Sequence, residues 1–343
     1  MRGITSNPTI FEKAIREGAE YEEDIRTGAL AGATAAEIYE NLVLEDVRAA
    51  SDLLAGVFDE SGGLDGFVSL EVSPHLVHDT QATVEEAERL WAALNRRNVM
   101  IKVPGTAAGL TALARLTARG INVNITLLFS LERYREVIDA YLSGLEQAAE
   151  AGVRLDGIAS VASFFLSRID SMVDPRIERI VARGDPEAAV AQPLRGEVAV
   201  ACARRAYAIF TEVFHSERYE ILARQGARKQ RLLWASTGTK NPRYSDLKYV
   251  EPLIGPDTIS TMPLETLKAY DDHGQPASRL DGSEAAAARV LTALQEAGVE
   301  LREVAEQLLV EGIDKFVEPF DASQRLIEGK RLSINARSRL TAG

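Results

Sequence analysis

Short apolar runs, each closed by a turn signal, alternate along this chain with long amphipathic segments, and that alternation restricts the fold more than any other feature. Phe67-Val68-Ser69-Leu70-Glu71-Val72 is closed by Ser73-Pro74, and Val99-Met100-Ile101-Lys102-Val103 by Pro104-Gly105. Similar runs read as strands at Gly3 to Thr5, Ile121 to Leu127, Ile158 to Phe164, Arg231 to Ser236, and Thr258 to Met262 before Pro263. Val84 to Leu94, Leu110 to Thr117 and Leu131 to Ala151 have the apolar spacing of helices packed on one face. Strand, helix and strand at spacings of roughly 20–40 residues predict βαβ units and a parallel sheet. The strands are apolar throughout rather than alternating, as expected when both sheet faces are covered. No Gly-rich phosphate fingerprint follows any of them, which counts against a dinucleotide-binding sheet. The expected fold is therefore α/β, a (β/α)8 TIM barrel, with functional groups at the C-terminal ends of the strands. Seven strands are legible, the first starting at residue 3. The stretch from Ala288 to Leu340 reads as helices without a further strand. The chain 1–343 is thus expected to be one barrel domain, with helices from about 285–343 packed upon it.

The net charge of −12 argues against nucleic acid and anionic membrane surfaces as partners. A phosphate ligand would need a few focused Lys, Arg and backbone N–H groups. Cys202 is the lone cysteine, in an apolar helical context, so no intramolecular disulfide can form and the thiol reads as a small buried hydrophobe. The four histidines are scattered, and His75 and His78 have no apparent third ligand; no metal is expected. The start of the chain is unlike a signal peptide and no window is long and apolar enough to span a membrane, so the expected compartment is the cytoplasm.

Polar residues inside apolar strands carry the chemical information. Lys102 lies between Ile101 and Val103 at a strand's end. A buried lysine is either paired or a nucleophile toward carbonyls. Glu71 ends the preceding strand, one βαβ unit away, and fits a proton-relaying carboxylate or a structural salt bridge. Asn124 and Thr126 share one strand face, and suit a substrate hydroxyl, a catalytic water or neighbouring backbone. Asn7 before Pro8 is a turn signal as much as a site residue. Ser163 and Arg168 lie near the end of the fifth legible strand, and Ser236, Thr237, Gly238, Thr239 and Lys240 follow the sixth. This second group has the composition of a phosphate cradle.

At these residues the chain resembles the transaldolase family, in particular its longer bacterial branch. Gly3-Ile4-Thr5-Ser6-Asn7-Pro8-Thr9-Ile10-Phe11 is similar to that family's second-strand motif, Ser69-Leu70-Glu71-Val72 to its third-strand glutamate motif, and Met100-Ile101-Lys102-Val103-Pro104 to its Schiff-base motif. Asn122-Val123-Asn124-Ile125-Thr126-Leu127-Leu128-Phe129-Ser130 resembles the fifth-strand motif and is the most specific match. Ser160 through Arg168 resembles the sixth, and Trp234 through Asn241 the seventh.

The resemblance implies a cofactor-free, class I Schiff-base enzyme of the pentose phosphate pathway. Lys102 would carry a dihydroxyacetone unit from sedoheptulose 7-phosphate to glyceraldehyde 3-phosphate, giving erythrose 4-phosphate and fructose 6-phosphate. Glu71 and Thr126 would hold a proton-relay water, Asn7 and Asn124 the dihydroxyacetone moiety, and Ser163, Arg168, Ser236 and Lys240 the phosphate. Sugar phosphates are the expected partners, and a monomer or homodimer the expected state. The family's first strand, with its acid/base aspartate, would precede Gly3. The chain is therefore expected to lack that strand, with open edges near Thr5 and Ser260. Two rival readings follow: a non-catalytic sugar-phosphate-binding remnant, and an enzyme resembling fructose-6-phosphate aldolase that releases dihydroxyacetone.

Overall fold

The apolar runs form strands and the amphipathic segments form helices, with side-chain caps setting where each helix begins. A computed structural model describes residues 1–341, with side chains as far as Ser338. The chain folds as two compact units, one of residues 1–103 with the chain from Gly312 onward, the other Pro104–Glu311.

In the first unit, β1 (Gly3–Thr5), β2 (Phe67–Glu71) and β3 (Val99–Pro104) pair in parallel and in that order. The register sets Thr5 opposite Ser69 and Glu71 opposite Lys102. Every residue of β3 is buried, as its unbroken apolar character requires. The crossover from β2 to β3 contains the helix Thr80–Leu94, which buries Thr83, Val84, Ala87, Leu90 and Leu94 along one face. It starts four residues earlier than the apolar pattern indicates, because Asp79 caps it by accepting from the Ala82 N–H at 3.0 Å. Helix Ala35–Leu53 opens with a full capping box, Thr34 and Glu37 each accepting from the other's backbone N–H. The segment of helix Leu301–Thr341 beyond Gly312 also belongs to this unit.

The second unit has β4 (Val123–Leu128), β5 (Ser160–Phe165), β6 (Arg231–Ala235) and β7 (Thr258–Ser260), again parallel and in chain order. Helices Ala107–Ala118 and Leu131–Glu150 flank β4 in sequence. The first is capped by Thr106, which accepts from the Gly109 N–H at 3.0 Å, and so begins before the apolar spacing shows it. Helices Ser167–Arg183 and Val198–Val213 fill the long connection from β5 to β6, and the second buries Cys202. Within each unit the strands are parallel and joined through helices, the α/β, TIM-barrel-like construction expected from the sequence. The segment expected to be helical near the C-terminus forms helices Glu284–Glu296 and Leu301–Thr341. Among the described residues, no helix is long and apolar enough to cross a membrane.

Candidate active site

Parallel pairing brings Glu71 and Lys102, distant in sequence, to facing positions at the ends of β2 and β3. Both side chains are 5% exposed, and Lys102 Nζ lies 3.5 Å from Glu71 Oε2. Nζ also donates to the Ser6 carbonyl at 2.9 Å. The Phe316 ring, contributed by the long C-terminal helix, has its centroid 5.7 Å from Nζ. Burial pushes the Glu71 carboxyl above the usual carboxylate range, and the Lys102 charge opposes that shift. Glu71 Oε1 is buried without a hydrogen-bond partner. Buried polar atoms are rarely left so, which marks Oε1 as an acceptor or, once protonated, a donor for a water or substrate hydroxyl.

Asn7 caps helix Pro8–Glu17, its Oδ1 accepting from the Ile10 N–H at 3.0 Å. Capping occupies Oδ1 and leaves Nδ2 as a donor. Asn7 and Glu71 line one cavity of ≈ 290 Å³ in this unit, together with Tyr39 and Phe320.

In the second unit Asn124 and Thr126 are fully buried on β4. Ser163 Oγ donates to Asn124 Oδ1 at 2.7 Å, so these two expected site residues meet. Thr126 Oγ1 has no hydrogen-bond partner. The register of β4 on β5 shifts around it, between Ile125 and Leu128, where Leu127 takes a left-handed φ of 59°. A left-handed leucine costs on the order of 1–3 kcal/mol and persists only where its surroundings enforce it, most often at functional sites.

Arg168 stands in the first turn of helix Ser167–Arg183, over the Phe165 ring at 5.4 Å. Its Nη1 is buried and unpartnered. Burial lowers the guanidinium pKa, with the Glu311 charge opposing. The next strand end comes to meet this turn: the Ser167 N–H donates to the Ser236 carbonyl at 3.0 Å and the two hydroxyls lie 2.8 Å apart. Ser236 is also left-handed, at φ 54°. Lys240 lies beyond these hydrogen bonds on the loop after β6 and is exposed.

Three contacts here escaped the sequence reading. The Ser6 carbonyl on Nζ and the Ser167 hydroxyl lie inside recognised motifs, where position in the strand-end turn was the available signal. Phe316 had none, because one aromatic residue on an amphipathic helix reads as core. His75, weighed as a metal ligand, has Nε2 2.7 Å from Asp321 Oδ1.

In the first unit, a buried amine against a carboxylate at a strand end is suited to imine chemistry on a carbonyl compound; in the second, a partly desolvated guanidinium near hydroxyls is suited to an anion such as phosphate. Residues 1–327 match the family model described as Transaldolase/Fructose-6-phosphate aldolase. The chain belongs to the transaldolase/fructose-6-phosphate aldolase family. It is 47% identical to a protein named Transaldolase 2 from Nostoc sp., over 96% of this chain and 87% of the relative. It is 50% identical to Transaldolase 1 of Streptomyces coelicolor over 92% of this chain and 81% of the relative. For the Transaldolase of Thermobifida fusca, identity is 49% over 93% and 85%. Of the nine expected residues, Glu71 ends β2, Lys102, Thr126 and Ser163 lie in the second halves of their strands, Asn7, Arg168, Ser236 and Lys240 follow strand ends, and Asn124 is the second residue of β4.

Proposed function

We propose that this chain is a transaldolase which carries a dihydroxyacetone unit as a Schiff base on Lys102. Family membership and relatives named transaldolase along more than nine-tenths of the chain support transaldolase activity. The observation that carries the lysine's role is its burial with Nζ 3.5 Å from an in-register carboxylate. In this reading neutral Lys102 attacks the ketone of sedoheptulose 7-phosphate or fructose 6-phosphate. The carbinolamine loses water, its departing hydroxyl protonated by Glu71 through a water that Thr126 helps to hold. The elevated Glu71 pKa suits a group that must hold and return a proton. As the C4 hydroxyl gives its proton to a water, the imine draws electrons from the C3–C4 bond, which breaks and releases an aldose phosphate. The remaining enamine adds to the second aldose phosphate, and hydrolysis frees Lys102. Asn7 and Asn124 would orient the dihydroxyacetone hydroxyls, and Ser163, Arg168, Ser236 and Lys240 would bind phosphate. On this reading the chain works in the pentose phosphate pathway of the cytoplasm, on sugar phosphates, without a metal or organic cofactor.

Borohydride added with fructose 6-phosphate should fix a three-carbon adduct on the peptide containing Lys102. Lys102→Arg should give neither adduct nor turnover, because a guanidinium stays protonated. An adduct on a different lysine in an active preparation rejects the assignment.

A further inference from the structure

Two buried aspartates lie on the helix that carries Arg168. Asp170 is 1% exposed and Asp174 7%. Each divides its oxygens in the same way. Asp170 Oδ1 accepts from the Ala199 N–H at 2.8 Å and Oδ2 from the Tyr249 hydroxyl at 2.9 Å. Asp174 Oδ1 accepts from the Gly196 N–H at 2.8 Å and Oδ2 from the Tyr244 hydroxyl at 2.6 Å. The backbone bonds fix the entry to helix Val198–Val213. The two tyrosines belong to the loop that leaves β6 through Ser236 and Lys240. Gly196 has φ +71°, and a Cβ there would fall 2.6 Å from the Tyr244 ring, so glycine allows this approach. Lys248 Nζ lies 4.7 Å from the centre of the same ring. Within the loop, Thr239 Oγ1 donates to the Ser245 carbonyl at 2.8 Å, tying its first half to its second. At the loop's start, Ser236 is held by Ser167, and the Thr237 hydroxyl donates to the Thr261 carbonyl at 2.6 Å.

We propose that Asp170–Tyr249 and Asp174–Tyr244 are positioning pairs that fix the Ser236–Lys240 loop relative to Arg168, so that the phosphate cradle is assembled before substrate arrives. This inference rests on the cradle assigned above. One helix carries Arg168 and Asp170 in its first turn and Asp174 one turn later, so anchoring the loop to the aspartates registers its hydroxyls and lysine to the guanidinium. The tyrosines touch no proposed substrate atom. They act by excluding loop conformations in which the cradle is open, and a binding-competent fraction multiplies directly into apparent affinity. Both phenols stay protonated donors, because burial and the aspartate charges raise their pKa values.

The test is Tyr244→Phe/Tyr249→Phe, which deletes two hydroxyls and keeps both rings. Two readouts are compared with the wild type: KM for fructose 6-phosphate in the transfer assay, and the rate at which unphosphorylated dihydroxyacetone with borohydride traps Lys102. If removal of the two bonds leaves the loop ordered in about a tenth of molecules, KM rises about tenfold, with kcat and the trapping rate within about twofold. An unchanged KM overturns the proposal. Equal losses in KM and trapping also overturn it, since the pairs would then support the whole fold. Arg168→Ala is assayed in parallel. If it too leaves KM for fructose 6-phosphate unchanged, the cradle itself is misassigned. If it raises KM while the double tyrosine variant does not, only the positioning inference fails.

Discussion

The Glu71–Lys102 pair makes a quantitative prediction about stability. Each side chain is 5% exposed, so neither charge has much water to fall back on when its partner is removed. Glu71→Leu leaves Lys102 Nζ with the Ser6 carbonyl as its remaining hydrogen-bond acceptor in the structure. Loss of one partner from a buried pair costs about 3–5 kcal/mol. Lys102→Met behaves differently, because Glu71 can take up a proton. Its pKa is already raised by burial, and Lys102 is the group holding it down. In Lys102→Met the folded-state pKa therefore rises further above the unfolded value of about 4.3. The folded form then binds the extra proton, and stability is fully present below the unfolded pKa and lost as pH rises toward the folded one. The slope in that window is about 1.4 kcal/mol per pH unit. Glu71→Leu/Lys102→Met removes both charges and replaces them with apolar volume, which is neutral or stabilising by about 1–4 kcal/mol. Urea denaturation of the four proteins at several pH values between 5 and 8 reads all of this as a double-mutant cycle. If Lys102→Met matches the wild type in stability and pH slope throughout, the pair is not desolvated and the reasoning fails. A double variant more stable than the wild type but devoid of turnover would mean that the pair is kept for chemistry at the expense of stability.

Four further outcomes are expected. Arg168→Ala should raise KM for fructose 6-phosphate about ten- to a hundredfold, the worth of a lost charge-assisted hydrogen bond, and leave dihydroxyacetone trapping nearly unchanged; steady-state kinetics beside trapping rates decide it. Asn7→Ala should lose about 1 kcal/mol with its helix cap, whereas Asn7→Asp should keep the cap and lose kcat/KM with the Nδ2 donor, a split visible by melting and kinetics. Burial pushes the Asp170 carboxyl up to about 6; its contribution is present below the unfolded value of about 3.9 and is lost as pH rises through about 6, so the stability of wild type relative to Asp170→Asn should fall across that window in urea titrations. Ser163→Ala and Asn124→Ala should show a coupling of about 1 kcal/mol in a stability cycle, and additive effects would show that their 2.7 Å bond contributes nothing.

Strand positions were legible because a buried parallel strand needs a long apolar run and a stop. Val99–Pro104 satisfies both and was located to within a residue. Helix starts were less legible, because Asp79 and Thr106 lie outside the apolar periodicity that marks the packed face. Lys102, Glu71, Asn124 and Thr126 stood out as polar residues in apolar strands, and the first two meet because parallel register does the rest. The aspartate–tyrosine pairs were hidden, since two acids on a helix resemble a solvated face until burial is known. Phe316 was hidden more completely: about two hundred residues separate it from Lys102, and sequence spacing has no bearing on such a contact.

The in-register facing of Glu71 and Lys102 also limits how this chain can change length over evolution. Side chains alternate across a strand, so one residue inserted or deleted within Phe67–Glu71 would turn the carboxylate to the opposite face of the sheet while leaving the lysine in place. Loss of one residue from the glycine-rich turn before β2 leaves that parity intact, because a turn absorbs the change before the strand begins. Tolerated length variation should therefore gather in segments such as Ser61–Gly66 and be absent, or occur two residues at a time, inside β2 and β3. A deep insertion and deletion scan read for turnover would draw that boundary along the chain residue by residue.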